Sequence, residues 1–484
     1  MIDIRGRRFI VVANGGGGEQ PGNDGEIVIT VMLNGINGTP GAQIADFKYN
    51  KDLALILEKD DGGDGDYKTL FRWLEKGENF NGSQGTAPTY TDGCGNPVKW
   101  KASFAVPTIG QNGDDMHNGV NPTYTTWAQY AEAHEKGWTL LNHAYGEDAD
   151  TKYEDREATI KMNEIKFFNE LIQYGVYCRT RHLVIPDTQE GFTSSAFSMG
   201  YKTVGSAFGL NSDDGQNDKQ FNITNFNVDR LMMVREHLGD EWVQAMQDYA
   251  IPLAMNRLFG FKGQQKAAIT VFSHGPGIIE SQYNYFKQFT QYVSNRPDNN
   301  DCLWVPSVHE FWDYLETKKK SVKTELVTGN TLKITINQNA IPVLNQFRDL
   351  SLIINGGSIA SVNVTGADGY SFNGATGLIN VRKKKTVFLT PELDARPAKL
   401  LSATAAGNSI ALVFESAITQ SIAGAWSVQN NTVTGISGSG TNWSIDLANP
   451  TSAGTKMYYR MQNGDATTVS NGLKICSFIE YPIS

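Results

Sequence analysis

At 484 residues the chain exceeds one ordinary core, so roughly two to four domains are expected. Charged residues make up 19% and the formal net charge is -9, which excludes the basic surface that duplex nucleic acid or an anionic membrane demands. Aromatic residues reach 11%, with 9 Trp and 19 Tyr, and 49 Gly fall between short apolar runs, a mix suited to turn-rich β structure and sugar-binding surfaces.

Cys94, Cys178, Cys302 and Cys476 are scattered without a CxxC pair, which argues against a disulfide scaffold or zinc finger and for buried thiols. No stretch reaches the roughly 18 apolar residues of a membrane span. The apolar run near the amino terminus is too short for a secretory signal, so any export signal is expected to be absent or already removed.

In chain order, Gly15 to Gly25 has no apolar residue and reads as a linker, followed by a strand over Glu26–Leu33. From Asp52 to about Lys320, short apolar runs alternate with helical periodicity, as in repeated βα units. Strands are predicted at Leu53–Leu57, Lys101–Val106, Trp138–Leu141, His182–Ile185, Lys202–Ala207 and Ala268–Phe272. Helical faces are predicted for Ile165, Phe168, Leu171 and Ile172, for Leu238, Trp242, Met246 and Tyr249, and for Tyr285, Phe286, Phe289 and Val293. Ser307 and Glu310 have the spacing of a capping box. Past Lys320 the period changes to two, and a small β unit followed by a terminal β-sandwich is predicted.

Three of the predicted βα-unit strands end in reactive side chains. The first runs into Glu58-Lys-Asp60-Asp61-Gly62, placing adjacent carboxylates at a carboxyl strand edge, where α/β folds keep their sites. One can hold a cation while the other acts as base on a bound water, although the same residues also read as an acidic turn or a calcium loop. The strand from Trp138 delivers His143, with Glu147 four residues on, a spacing that lets imidazole and carboxylate face one ion. The strand from Ala268 delivers His274 into a Gly275-Pro276-Gly277 turn.

The order of these pieces over roughly residues 50 to 320 resembles the polysaccharide deacetylase family, the NodB-homology domain of carbohydrate esterase family 4. Asp60-Asp61-Gly62, Lys101-Ala-Ser-Phe-Ala-Val106, Thr126-Trp127 through Gly137 to His143, Gly200-Tyr-Lys-Thr-Val204 and Val271-Phe-Ser-His274 carry the resemblance. It implies an α/β fold, a NodB-like irregular (β/α) barrel, which the C-terminal all-β, sandwich-like domains read from the periodicity would follow. It also implies Asp60 as general base, His274 as general acid, and Asp61 and His143 as ligands of a divalent ion, with Glu147 standing where the family has a second His. Zinc comes first for that ion, with manganese, magnesium or cobalt as alternatives, because the extra carboxylate favours harder ions. The family's third motif has an Arg beside a Pro turn; here Pro186 fits the turn, but neither Arg179 nor Arg181 stands directly beside it, and neither is assigned.

The divisions expected are an amino-terminal arm and strand over 1–45, a deacetylase-like catalytic domain over 46–325, a small β domain over 326–390 and an Ig-like C-terminal β-sandwich over 391–484. The function expected is hydrolysis of N- or O-acetyl groups on an acetylated glycan, at an extracellular, cell-surface or virion-associated location. The β domains are expected to contact glycan or serve assembly. The alternative is a catalytically impaired deacetylase-like platform in a glycan-binding surface or virion-associated structural protein. A glycosidase is disfavoured because Asp60 and Asp61 are adjacent and do not flank a bond from separate strands. His117 is expected in a solvated loop, His134 packed at the surface and His309 exposed, with His182 either structural or supporting the site, and the Asp213–Asp218 run a solvated turn.

Overall fold

A computed structural model describes residues 25–109, 115–144, 156–176, 178, 180–186, 192–207, 231–342, 345–383, 400–419, 421, 423–459 and 478–484. Glu147, Arg179, Cys476 and the Asp213–Asp218 run therefore lie outside the described residues.

The chain opens with β1 (Glu26–Leu33) and β2 (Gly41–Ile44). A run of parallel strands follows: β3 (Leu53–Lys59), then, after a small hairpin of β4 (Thr89–Thr91) and β5 (Pro97–Lys99), β6 (Ser103–Val106), β7 (Thr139–Asn142), β8 (His182–Val184), β9 (Thr203–Ala207), β10 (Leu231–His237), β11 (Ala267–Ser273) and β12 (Leu303–Trp304). Strands β3, β6, β7, β8, β9, β10 and β11 pair in that order, and β11 pairs back onto β3, so seven parallel strands close a ring. Strand β12 lies beside β3 at Leu53 and Ala54, on the flank where β6 takes over at Glu58. This arrangement fits the (β/α) barrel expected from sequence. Every residue of β3 and β11 is buried, which explains their nearly continuous apolar runs.

Helices link the strands: a π-type helix over Asp66–Lys76, then α1 (Trp127–Glu135), α2 (Arg156–Leu171), α3 (Phe192–Ser198), α4 (Ile251–Phe259), α5 (Glu280–Ser294) and α6 (Val308–Lys320). Thr126 and Gln129 close a reciprocal capping box on α1, and Ser307 Oγ accepts from the Glu310 amide on α6. The helical face expected from Leu238 to Tyr249 forms only in its second half, where a π-type helix over Met246–Ala250 leads into α4. Strand β10 runs to His237, Trp242 sits at φ 46 and donates its indole N–H to Ser273 Oγ at 3.0 Å, and Tyr249 is exposed. The loop spanning Leu238 and Trp242 is thus pulled onto the end of β11 before helix begins.

Beyond α6 come β13 (Val322–Thr328), β14 (Thr331–Asn337), β15 (Leu350–Asn355), β16 (Ile359–Thr365), β17 (Gly369–Asn373) and β18 (Leu378–Arg382). Strand β1 lies between β14 and β16, and β2 pairs with β15 at the edge of the second sheet. Ile27, Ile29, Val31 and Leu33 alternate inward on β1, opposite Leu332, Ile334 and Ile336 of β14. The two sheets share one hydrophobic core with the barrel. Helix α6 is the seam: Tyr314 donates to the Ala45 carbonyl at 2.8 Å, Asp313 accepts from the Gln346 and Phe347 amides, and Lys48 bridges Glu310 and Asp349 at 2.7 and 2.6 Å. His309, expected to be exposed, is therefore buried, because α6 is covered on both sides.

A separate core holds the last strands, β19 (Leu400–Ala406), β20 (Ser409–Ile418), β21 (Trp426–Val428), β22 (Val433–Leu447), β23 (Lys456–Tyr459) and β24 (Phe478–Pro482). They form two three-stranded antiparallel sheets. No helix among the described residues is long and apolar enough to cross a membrane.

Because β1 fills the middle of its sheet, Ile29→Ala should cost about 2–5 kcal/mol in urea unfolding. Met32→Ala, on the exposed face of the same strand, should cost under about 1 kcal/mol.

Candidate active site

The carboxyl ends of β3, β7, β10 and β11 meet at one mouth of the barrel. Glu58, Lys59 and Asp60 leave β3 still buried. The backbone then enters the left-handed region at two successive residues, Asp61 with φ 71 and Gly62 with φ 66. Asp tolerates this region and Gly enters it without steric cost. At residue 62 a Cβ would also lie 2.7 Å from the His117 ring, so the turn needs glycine. This pivot turns the Asp61 side chain out, leaving it half exposed, while Asp60 stays inside.

The two neighbouring carboxylates consequently meet different partners. Asp60 Oδ1 accepts from Arg235 Nη1 at 2.8 Å, and the same nitrogen reaches Glu58 Oε2 at 3.1 Å. Arg235 is buried on β10 with its guanidinium 4.0 Å over the Phe272 ring. Burial pushes the Glu58 carboxyl up to about 7, with the Asp60 charge adding to the shift and Arg235 opposing it. Asp61 lies between two imidazoles, with His143 Nε2 at 3.3 Å and His274 Nε2 at 3.7 Å. Burial alone would raise the Asp61 carboxyl, but the hydrogen bond and charge of His143, then the charges of His274 and Lys59, bring it down to about 2.

Each imidazole is oriented from behind. His143 Nδ1 donates to the Val184 carbonyl at 3.0 Å, which aims Nε2 at Asp61. Burial would lower the His143 imidazole, but the Asp61 hydrogen bond and the charges of Asp60 and Asp61 outweigh it and hold it above its ordinary value. His274 is gripped twice by Asp240, whose Oδ1 accepts from the His274 amide at 2.9 Å and lies 2.8 Å from Nδ1. His237 Nε2, at the end of β10, lies 2.8 Å from the same oxygen. An Asp61 carboxylate beside an imidazole whose far nitrogen is tied to a carbonyl is a donor pair that suits a divalent ion.

Of the residues predicted from sequence, the structure brings together Asp60, Asp61, His143 and His274. Glu147 lies outside the described residues. Sequence reasoning missed Arg235, Asp240 and His237. The unassigned Arg181 does not reach Asp60; it pairs with Asn345 at 2.7 Å and Glu316 at 3.3 Å across the seam with α6. His117, expected in a solvated loop, is buried, its ring nitrogens each 2.7 Å from the carbonyls of Thr125 and Pro107, so it supports the Gly62 turn. His182 is buried with Nδ1 2.7 Å from Thr203 Oγ1, and its ring lies 4.6 Å from that of His309, a structural pairing.

No protein-family model and no curated protein matches the sequence. Among solved structures, the chain is similar to the Xyl-CE4 domain of a multidomain xylanase from the hindgut metagenome of Trinervitermes trinervoides. The identity is 11%, over 55% of this chain and 91% of that one, with a TM-score of 0.30. A mutant CE4 family pseudoenzyme with restored enzymatic activity is similar at 10% identity, over 55% of this chain and 68% of that one, with a TM-score of 0.29. Superpositions this loose assign neither fold nor chemistry, which rest on the strand order and the contacts above.

Replacing Arg235 with Met leaves Glu58 and Asp60 buried without their cation and should cost about 3–5 kcal/mol in chemical denaturation. The pH dependence has a definite sign. Glu58 binds its proton more tightly folded than unfolded, so its contribution to stability is full below its ordinary 4.5 and is lost as pH rises through about 7. Glu58→Gln should remove that part of the slope in melts recorded from pH 4 to 8.

Proposed function

We propose that the chain is a metal-dependent hydrolase that removes acetyl groups from an acetylated glycan. The observation that carries this reading is the division of labour at Asp60 and Asp61. One carboxylate is buried and fixed by an arginine, and its neighbour is turned out between two imidazoles. Asp61 and His143 would hold a divalent ion, with Glu147 as a further donor, and such an ion supplies Lewis-acid polarisation of an acetyl carbonyl and of a water molecule.

The protein's own residues handle the protons. Arg235 engages Asp60 Oδ1, so Asp60 presents its other oxygen to take a proton from the attacking water. Asp240 holds the Nδ1 side of His274, and the Nε2 side faces Asp61 and the barrel mouth, where it donates to the departing nitrogen or oxygen. The C-terminal strands, read as an Ig-like sandwich, would hold the barrel against an extended polymer at an outer surface.

Acetate release from acetylated chitooligosaccharide, xylan and peptidoglycan fragments tests the proposal, with metal-stripped protein compared with protein refilled with manganese or with equimolar zinc. Refilled protein should release acetate, stripped protein should not, and Asp60→Asn should lower kcat by about 10²–10⁴. If refilled protein retains metal yet releases no acetate from any of the three, the reading fails and a glycan-binding platform takes its place.

A further inference from the structure

His274 presents two nitrogens to two different surroundings. Nε2 faces Asp61, while Nδ1 belongs to a second cluster with Asp240 and His237. Ligand atoms of His237, Asp240 and His274 all lie within 4.8 Å of one another. We propose that these three residues form a second divalent-cation site, selective for a first-row ion with imidazole affinity such as zinc, and that its occupation silences the proton donor. The silencing rests on the deacetylase reading; the binding does not.

The donor set is two imidazoles and a carboxylate, which suits zinc and its neighbours and leaves the remaining coordination positions to water. Both His237 Nε2 and His274 Nδ1 are 2.8 Å from Asp240 Oδ1. Zinc bonds of about 2.0–2.2 Å separate tetrahedral ligand atoms by roughly 3.3–3.6 Å. The two carboxylate–imidazole distances therefore need to open by less than about 1 Å to accept the ion.

The supporting shell is already built. Ser273 Oγ donates to the Gly239 carbonyl at 2.6 Å, and the Trp242 indole and the Gly275 amide each donate to that hydroxyl at 3.0 Å. The Asp240 carbonyl packs so closely over Gly275 that any side chain there would collide with it. These contacts lock the loop that carries Asp240 to the turn that carries His274. The His237 ring stacks on Phe272 with centroids 4.8 Å apart. Side-chain exposures of 24% for His237 and 44% for both Asp240 and His274 leave an entry path for the ion.

Ligation takes a lone pair from His237 Nε2 and one from His274 Nδ1. A ring that starts neutral shifts its proton to its other nitrogen, and a ring that starts protonated releases one proton to solvent. His274 is then neutral, with its single proton on Nε2 and Asp240 drawn to the ion. A neutral imidazole is a far weaker acid than imidazolium, so transfer to the leaving group stalls.

Equilibrium dialysis of the full chain against zinc, with bound metal measured per chain, should find two ions in the wild type. His237→Asn should retain one, and Asp61→Ala should retain the other. Excess zinc should lower acetate release by wild type about 100-fold and that by His237→Asn by less than about twofold. In wild-type crystals soaked in zinc, an anomalous peak should lie between His237 and His274, a readout that survives any folding failure of the variant. Wild type that binds one ion, lost on Asp61→Ala, overturns the inference, as does a peak at Asp61 alone. Equal zinc inhibition of wild type and His237→Asn overturns the silencing. One ion lost in His237→Asn but kept in Asp61→Ala supports the second site while sinking the deacetylase reading.

Discussion

A guanidinium buried among carboxylates is the constraint around which the barrel mouth is organised. Arg235 enters from β10, lies over Phe272 of β11 and reaches Glu58 on β3 and Asp60 just past its end, so one side chain spans three of the seven ring strands. Burying that cation alone would be prohibitive, and burying the two carboxylates without it equally so. Each is tolerable only with the others in place, which ties closure of the ring to the position of Asp60. With two carboxylates facing one cation, Glu58 absorbs the mismatch by holding its proton up to about 7, leaving the arginine to Asp60.

The same logic recurs at the seam on the outside of the barrel. Arg181, Lys48, Glu310, Asp313 and Glu316 form buried ionic contacts where α6 meets the sheets built from both ends of residues 26–383. Apolar packing supplies most of the stabilisation there, and the ion pairs set register: Lys48 reaches both Glu310 on the helix and Asp349 ahead of β15. The barrel and the β1–β18 sheets therefore share a core that the last strands do not join.

How much of this was legible in the sequence follows from how each residue is buried. Strands β3 and β11 announce themselves because a ring strand covered on both faces reads as an unbroken apolar run, and their ends mark Asp60, Asp61 and His274. Strand β10 ends in Arg235-Glu236-His237, a polar run with no local sign of burial; only the ring shows that Arg235 points inward while Glu236 pairs with Arg257 on α4. His309 and His117 misled for the same reason, since a polar residue gives no local sign of a neighbour that arrives from far along the chain. Arg181, one of the two arginines near the Pro186 turn that the sequence leaves unassigned, is claimed by the seam with α6.

The chemistry at the mouth depends on a backbone feature smaller than any of these elements. Consecutive residues of a strand point to opposite faces, and in a closed barrel that would send Asp60 and Asp61 to the interior and the helix layer. Two successive left-handed residues, Asp61 and Gly62, break the alternation at the point where β3 ends. Both carboxylates then stay at the mouth, one facing Arg235 below and one facing His143 and His274 above. A glycine with no room for a Cβ beside His117 is what permits the second of those conformations, so the buried imidazole that binds nothing at the mouth helps fix where its two carboxylates lie.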